Sequence, residues 1–217
     1  MQIELVTTRD GSHSLYRPDL DEHYHSAFGA IQESMHIFIK SGFERIPIKQ
    51  LQIFEVGFGT GLNALLTFLK ASELQKKVKY FSIEKYPLAP ELTNQLNYPS
   101  ILQAKSAEIF DGLHRSAWDT DIDFGQFVLH KINSDILISQ IPSGNDLVYF
   151  DAFSPDKDPL LWSTEIFQKI HNSMNTGGVL VTYSAKGEVR RRLLSCGFHV
   201  EKLAGPPGKI HILRAIK

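Results

Sequence analysis

The chain has 217 residues, of which 42% are hydrophobic and 22% are charged, and its formal net charge is −1. These values are ordinary for a globular protein and argue against a general nucleic-acid binder, and the length fits one domain over residues 1–217. No apolar run approaches the ~20 residues that span a bilayer, and the start of the chain lacks the pattern of a signal peptide. We therefore expect a cytoplasmic protein without membrane contact.

The average charge hides an uneven distribution. Residues 106–158 contain ten Asp and Glu against three Lys and Arg, whereas residues 184–217 contain eight Lys and Arg against two Asp and Glu. This basic C-terminal segment is either a solvated surface or a patch that faces phosphates. In the second case Lys186, Arg190 and Lys209 are the candidate phosphate contacts, and Lys209, after a glycine-rich turn, is the freest to reach a phosphate.

The first part of the chain predicts two small elements. In residues 2–17, alternating apolar and polar residues on either side of a turn predict a hairpin. Residues 27–40 predict a helix. We expect residues 1–45 to form an appendage to a core over residues 46–217.

Residues that commonly bind metals or act as nucleophiles are sparse. His23 and His25 stand two residues apart, as ligands on a strand can, but no cysteine or further histidine cluster accompanies them. Cys196 is expected to be a buried thiol, because no histidine is near it in sequence. No metal site is expected.

A glycine-rich turn between a predicted strand and a predicted helix is the most informative motif. Residues 51–56 are mostly apolar, as a parallel strand covered on both faces must be, and residues 62–70 have helical spacing. Gly57, Gly59 and Gly61 stand between them. Without side chains they let a ligand approach the backbone, and the free N–H groups at the helix start favour an anionic group.

The spacing of these glycines bears on which ligand they hold. A dinucleotide fingerprint has a small residue at its sixth position, but that position is Leu62 here. The turn therefore favours S-adenosylmethionine, whose methionine carboxylate needs only the turn amides. The alternative is a tight turn with no ligand.

Polar residues follow the next two predicted strands. Glu84 ends a strand over residues 78–83, where a carboxylate can accept hydrogen bonds from both hydroxyls of a ribose; otherwise it is an exposed strand-end charge. A third strand over residues 124–131 leads to Asn133. Asn133 either holds the adenine amino group or caps a following helix.

The fourth predicted strand, residues 146–150, ends at Asp151. In an open α/β sheet the ligand lies beyond the carboxyl ends of the strands, so Asp151 is expected to face the glycine turn. It is the best catalytic candidate in the chain. Phe153, Pro155 and Trp162 in the loop that follows are candidate substrate contacts, although Trp162 can equally belong to the core.

The order of these elements predicts the fold class. Strands and helices alternate up to residue 195, and two strands then follow across a glycine- and proline-rich turn over residues 205–208. Alternation predicts a mostly parallel α/β sheet, and a short turn requires the last two strands to be antiparallel.

Several short motifs occur in a fixed order along almost the whole chain. They are Tyr24-His25-Ser26, Glu33-Ser34, residues 54–63, Glu84-Lys85-Tyr86-Pro87-Leu88, Asp151-Ala152-Phe153-Ser154-Pro155, Pro159, Trp162, Val189-Arg190-Arg191, Gly197-Phe198 and residues 205–209. Together they resemble the class I S-adenosylmethionine-dependent methyltransferases. The resemblance is closest to the MnmC-type tRNA methyltransferase domain in a stand-alone form.

The resemblance implies a Rossmann-like fold with a mostly parallel seven-stranded sheet and a terminal antiparallel hairpin. It implies S-adenosylmethionine as the cofactor and the tRNA anticodon loop as the partner. The cofactor contacts that motif and resemblance together indicate are Glu55, Gly57, Gly59, Gly61, Asn63, Glu84 and Asn133. At Asn133 the chain departs from the family, which has an aspartate there.

The implied reaction is N-methylation of the aminomethyl group of wobble 5-aminomethyl(-2-thio)uridine in tRNA. Larger family members carry an FAD-dependent oxidase domain after this one, and none is expected in this chain. Asp151 is expected to orient the amine and to stabilise its developing charge, because an ordinary aspartate pKa of ~3.9 makes a poor base.

Two rival functions stay open. One is an aminopropyltransferase of the spermidine synthase kind, which acts on a polyamine and shares the strand-end aspartate and the proline-rich loop. The other is a binding module without catalysis, which the presence of Asp151 disfavours.

Overall fold

The computed structural model describes residues 3–102 and 106–217, and within them eleven strands form two sheets. The strands are β1 (Glu4–Thr7), β2 (His13–Arg17), β3 (Glu22–His23), β4 (Gln50–Val56), β5 (Lys77–Glu84), β6 (Asp121–Asp123), β7 (Phe127–Asn133), β8 (Asn145–Phe150), β9 (Met174–Thr182), β10 (His199–Ala204) and β11 (His211–Ile216). The helices are α1 (Ala30–Ser34), a π-helix (Met35–Lys40), a 3₁₀ helix (Phe43–Arg45), α2 (Leu62–Leu74), α3 (Pro90–Thr93), α4 (Tyr98–Leu102), α5 (Ser106–Arg115), α6 (Thr164–Ser173) and α7 (Gly187–Ser195).

The larger sheet has the strand order β10-β11-β9-β8-β4-β5-β7-β6. The five strands from β9 to β7 run parallel, whereas β11 is antiparallel to both β9 and β10. The predicted mostly parallel seven-stranded sheet with a terminal antiparallel hairpin is confirmed. An eighth strand, β6, pairs antiparallel at the edge, and its three residues are too few and too acidic to be recognised as a strand in the sequence.

The predicted N-terminal hairpin is present as β1 and β2, and the short β3 extends it to a three-stranded antiparallel sheet. Residue 2, where the prediction began, lies outside the described residues. Asp10 shapes the turn, because its Oδ1 accepts from the backbone N–H and from the hydroxyl of Ser12. The helix predicted over residues 27–40 begins at Ala30 and becomes a π-helix at Met35.

Both faces of the larger sheet are covered, which explains why its central strands are apolar throughout. Ile53 and Phe54 are neighbours in β4 and are both fully buried, one in each of two clusters. The cluster around Ile53 contains side chains of α2 and α5, and the cluster around Phe54 contains side chains of α6 and α7. Successive side chains of a strand point to opposite faces, so helices on both sides require this pattern.

The chain order of the strands reverses between β4 and β8, which lie side by side. Their register pairs Val56 with Phe150, so both strands end at the same level, and the Asp151 N–H donates to the Val56 carbonyl over 3.2 Å. The glycine turn after β4 is thereby placed beside Asp151. Ligands of open α/β sheets bind at such a switch point. No helix in the described part of the chain is long and apolar enough to cross a bilayer.

Candidate active site

A cavity of about 760 Å³ lies at the carboxyl ends of β4, β5 and β8. Its walls are the glycine turn and the start of α2, the end of β5, residues 134–137, residues 151–153 and the N-terminal residues 20–27. The N-terminal segment was expected to be an appendage, but it supplies one wall of the cavity.

Gly57 and Gly59 both lie on the cavity wall. Gly57 has a φ of +92°, and a Cβ built on it would lie 2.9 Å from the Asp151 carbonyl oxygen. Gly59 has a φ of +48°, and its Cβ would lie 3.4 Å from the Tyr24 ring. Only glycine adopts these left-handed conformations readily, and the missing side chains leave space for a ligand against the backbone of the turn.

Gly61 does not line the cavity, and a different contact explains why it has no side chain. Its Cβ would lie 2.9 Å from His114 Nε2, and its φ is +70°. His114 Nε2 donates to the Thr60 carbonyl over 3.1 Å, and burial lowers the pKa of His114 to about 4, so the imidazole is neutral. Gly61 therefore lets His114 contact the turn from the side away from the cavity, and its contact with the cofactor stays a prediction.

Glu84 is fixed at the end of β5 by two backbone donors. Its Oε2 accepts from the Gly59 N–H over 3.1 Å, and its Oε1 accepts from the Tyr86 N–H over 2.7 Å. The carboxylate lines the cavity beside the apolar side chains of Ile83 and Ile136. Each oxygen keeps a further acceptor position, so the group can receive a pair of hydroxyls next to an apolar wall.

Asn133 does not line the cavity, and its contact with adenine stays a prediction. It is the last residue of β7. The exposed Asn133 uses its backbone N–H to donate to Asp119 Oδ1 over 3.2 Å. Asp135 lies on the wall instead, where its Oδ1 accepts from the Leu137 N–H over 2.9 Å.

Asp151 lies at the inner end of the cavity, where its Oδ2 accepts from Asn63 Nδ2 over 2.8 Å. Burial and, next, the negative charge of Glu33 raise the pKa of Asp151 to about 7, although the Asn63 hydrogen bond and the charge of Lys209 oppose the rise. The expectation of an ordinary aspartate pKa is therefore wrong. Near neutral pH this group can hold or release a proton.

Glu55 lies beneath the turn and not on the cavity wall, and its role as a cofactor contact stays a prediction. It is 1% exposed, its Oε2 accepts from the Ser82 hydroxyl over 2.6 Å, and burial raises its pKa to about 8. Tyr80 and Asn63 lie against it. Glu55 Oε1 and Asn63 Oδ1 are buried without a hydrogen-bond partner among the described residues, and a proton on Glu55 lets the two bond.

Glu33 and Lys209 form an ion pair in the wall near Asp151. Glu33 is 8% exposed; its Oε2 accepts from the Ser26 N–H over 2.7 Å, and its Oε1 lies 3.3 Å from Lys209 Nζ. A Cβ on Gly208 would lie 2.3 Å from the Phe28 ring, so this turn packs closely on the N-terminal segment and carries Lys209 inwards. The prediction that Lys209 reaches freely for a phosphate is corrected.

The loop after β8 is held by contacts from both sides. Glu22 accepts from the Ser154 N–H over 2.8 Å and from its hydroxyl over 3.1 Å. Trp162 is fully buried, and its Nε1 donates to the Phe153 carbonyl over 2.7 Å. Phe153 lines the cavity, whereas Pro155 is buried and lies outside the wall. Trp162 thus supports the loop, and the substrate contacts of Trp162 and Pro155 stay predictions.

The other two predicted phosphate contacts do not line the cavity. Lys186 Nζ pairs with Asp156, and Arg190 is exposed on α7. Their role toward a partner stays a prediction.

The structure adds Tyr24 and Glu33 to the predicted site. Tyr24 packs edge-on against Phe153 with ring centroids 5.1 Å apart, and burial together with the charge of Glu84 raises its pKa to about 12. Both residues belong to motifs that carried the family resemblance, but nothing in the sequence places these N-terminal motifs over the glycine turn.

The fold and the cavity define a class I methyltransferase. The strand order, the glycine turn before α2 and the acidic residue at the end of the neighbouring strand are those of this class. The N-terminus of α2 fits an amino-acid carboxylate, Glu84 fits a ribose, and Ile83, Ile136 and Leu137 fit a purine ring, so the cavity suits S-adenosylmethionine.

The comparisons with known proteins agree with this class. A family model described as S-adenosyl-L-methionine-dependent methyltransferase matches residues 100–217, and the chain belongs to this family, which confirms the predicted cofactor. The chain is 31% identical to the "tRNA 5-methylaminomethyl-2-thiouridine biosynthesis bifunctional protein MnmC" of Cupriavidus metallidurans, over 95% of this chain and 32% of that protein. The chain thus spans about a third of the length of the curated relatives that it matches.

Two solved structures resemble the chain. The crystal structure of MnmC2 from Aquifex aeolicus matches with a TM-score of 0.83 and 29% identity, over 99% of this chain and 70% of that chain. Spermidine synthase from Thermotoga maritima matches with a TM-score of 0.59 and 12% identity. At that identity the second likeness shows the fold alone.

Proposed function

We propose that this chain methylates the amine of the wobble nucleoside 5-aminomethyl(-2-thio)uridine in the anticodon loop of tRNA. The observation that carries the proposal is the carboxylate of Asp151, which borders the cofactor cavity with a pKa of about 7. The choice of tRNA and of this nucleoside is supported by the name of the relative from Cupriavidus metallidurans and by the similarity to the protein from Aquifex aeolicus. A tRNA substrate agrees with the cytoplasmic location that we expect from the sequence.

The cofactor residues divide into backbone and side-chain contacts. The N-terminus of α2, beside the glycine turn, holds the methionine carboxylate, and Glu84 holds the ribose hydroxyls. S-adenosylmethionine supplies an electrophilic methyl group on a positively charged sulfur. Asn63 holds Asp151 in place over 2.8 Å.

Asp151 acts on the amine of the nucleoside. The amine attacks as the neutral form, so an arriving ammonium first gives a proton to the Asp151 carboxylate. The nitrogen lone pair then forms the N–C bond, while the S–C bond breaks and its electron pair remains on sulfur. Positive charge appears on nitrogen, and the protonated Asp151 keeps the amine oriented because its carbonyl oxygen can still accept a hydrogen bond from an N–H of the amine.

The test is methyl transfer to tRNA that carries 5-aminomethyluridine, followed by mass spectrometry of its nucleosides. Wild type is expected to add one methyl group to the wobble nucleoside. Asp151→Asn keeps the side-chain shape and is expected to lower turnover by ~10²- to 10³-fold, as loss of one preorganised group typically does. Asp156→Asn, on the same loop but outside the cavity wall, is the matched control and should leave turnover unchanged.

The alternative is tested in the same experiment with decarboxylated S-adenosylmethionine and a diamine. An aminopropylated diamine, together with unmodified tRNA, would refute tRNA methylation and support the rival function. Near-normal tRNA methylation by Asp151→Asn would instead refute the role given to Asp151.

A further inference from the structure

The inner end of the cavity holds two carboxylates and one cation. Asp151 and Glu33 both line it, and they are close enough for the charge of Glu33 to raise the pKa of Asp151. Lys209 is the cation, with its Nζ 3.3 Å from Glu33 Oε1. With both acids ionised this group of three carries a net charge of −1, so it accommodates one further positive charge.

The two oxygens of Glu33 have different surroundings. Oε2 accepts from the Ser26 N–H over 2.7 Å, which fixes the side chain. Oε1 is buried and makes no hydrogen bond among the described residues; its charged neighbour is Lys209, at a distance longer than a good charge-assisted hydrogen bond. A buried carboxylate oxygen of this kind is a favourable place for an ammonium group that donates directly.

Lys209 does not pair with Glu33 alone. Its Nζ also lies 4.8 Å from the centre of the Tyr183 ring, so the ammonium is shared between an anion and an aromatic face. Lys209 can stay on the Tyr183 ring when another cation takes its place at Glu33. Tyr183 is itself fixed, because its hydroxyl donates to the Ala152 carbonyl over 2.9 Å.

We propose that Glu33 binds the primary ammonium group of the substrate in place of Lys209, and that this ion pair makes the site select an amine over a neutral group. The inference rests on the proposed function and adds a residue that touches the substrate. Asp151 then accepts a proton from the amine, and Glu33 neutralises its positive charge.

The proton balance follows from this division. The ammonium binds between the carboxylates of Glu33 and Asp151 and transfers one proton to Asp151. After the nitrogen lone pair forms the N–C bond and the S–C bond electrons remain on sulfur, the product is a secondary ammonium, which Glu33 still neutralises. Asp151 releases its proton to solvent when the product leaves.

The experiment measures binding without turnover, with S-adenosylhomocysteine in the cofactor site. The probes are two anticodon stem-loop RNAs that differ only at the wobble base, which is 5-aminomethyluridine in one and 5-hydroxymethyluridine in the other. Wild type is expected to bind the amine RNA about tenfold or more tightly. Glu33→Gln should lose this preference, because an amide can still accept from Ser26 but carries no charge.

Two further variants separate charge from structure. Glu33→Asp keeps the charge on a shorter side chain and should retain part of the preference. Glu91→Gln removes an exposed carboxylate in α3, outside the cavity wall, and should retain all of it. Unfolding temperatures of all three variants report whether each is folded.

The outcomes distinguish this inference from the function it rests on. If wild type methylates the amine RNA but Glu33→Gln keeps the full amine preference, the role of Glu33 is refuted and the methyltransferase function stands. If wild type neither binds nor methylates the amine RNA, the proposed function fails, and the inference fails with it.

Discussion

The substitution Glu55→Gln should stabilise the protein in a manner that depends on pH. Glu55 is 1% exposed and carries a raised pKa of about 8, against an ordinary value of 4.5. Burial disfavours its ionised form, so the folded protein holds this proton while the unfolded chain has released it. Glutamine has the shape of the protonated acid: its Oε1 can accept from the Ser82 hydroxyl, and its Nε2 can donate to Asn63 Oδ1.

The sign and size of the effect follow from proton linkage. Below pH 4.5 both states hold the proton and the group imposes no penalty. As pH rises from 4.5 to about 8, the unfolded chain alone gains from ionisation, so wild type loses stability relative to Glu55→Gln; above pH 8 the difference is constant. Between pH 4.5 and pH 7, at ~1.4 kcal/mol for each pH unit, the difference amounts to about 3 kcal/mol.

Urea unfolding at pH 5 and pH 8 measures this difference, with wild type and Glu55→Gln compared at each pH. At pH 7 the corresponding rise in melting temperature is roughly 6–12 °C for a chain of this length. Glu91→Gln, which removes an exposed carboxylate, is the control and should show no such trend. A stability difference between wild type and Glu55→Gln that stays the same from pH 5 to pH 8 would refute the account of a buried neutral Glu55.

Two further predictions concern the cavity. Glu84→Ala should weaken S-adenosylmethionine binding by about 1–3 kcal/mol in calorimetry, because the carboxylate accepts from the Gly59 N–H and faces the ribose; an unchanged affinity would contradict this placement. The kcat/KM for the amine RNA should rise with pH through about 7, as Asp151 loses its proton. Glu33→Gln should move this rise to lower pH, because the charge of Glu33 raises the Asp151 pKa; titration of the substrate amine alone would leave the rise in place.

The fold could be predicted from the sequence because its signals are local. Buried parallel strands are apolar on both faces, and Ile53 and Phe54 show why, since each enters a different cluster. Glycines after such a strand, and acidic residues at strand ends, can also be recognised in the sequence. Glu84 and Asp151 were found by this reasoning, and both line the cavity.

Side-chain direction could not be predicted in the same way. Glu55 and Glu84 both stand near the end of a strand, but Glu55 lies one residue before the end and is buried below the turn, whereas Glu84 is the last residue of β5. Asn133 ends β7 as Glu84 ends β5, and the two residues are paired in register, but only Glu84 lies on the cavity wall. A shift of one residue turns a side chain to the opposite face, and sequence patterns do not fix strand ends that closely.

The remaining errors depend on contacts between distant segments. Trp162 is as compatible with a pocket wall as with the core until its hydrogen bond to Phe153 is known. Lys209 follows a turn of two glycines and two prolines, which predicts exposure, but the turn packs on Phe28 and brings the ammonium to Glu33.

The N-terminal segment shows why such contacts matter for chemistry as well as for position. Tyr24 covers the glycine turn, Glu22 holds the loop that carries Phe153, and Glu33 changes the pKa of Asp151. A glycine turn and a strand-end aspartate on the sheet alone would leave Asp151 more exposed to water, with a pKa closer to its ordinary value. The packing of residues 20–33 onto the sheet therefore helps to convert an ordinary acid into a group that exchanges protons near neutral pH.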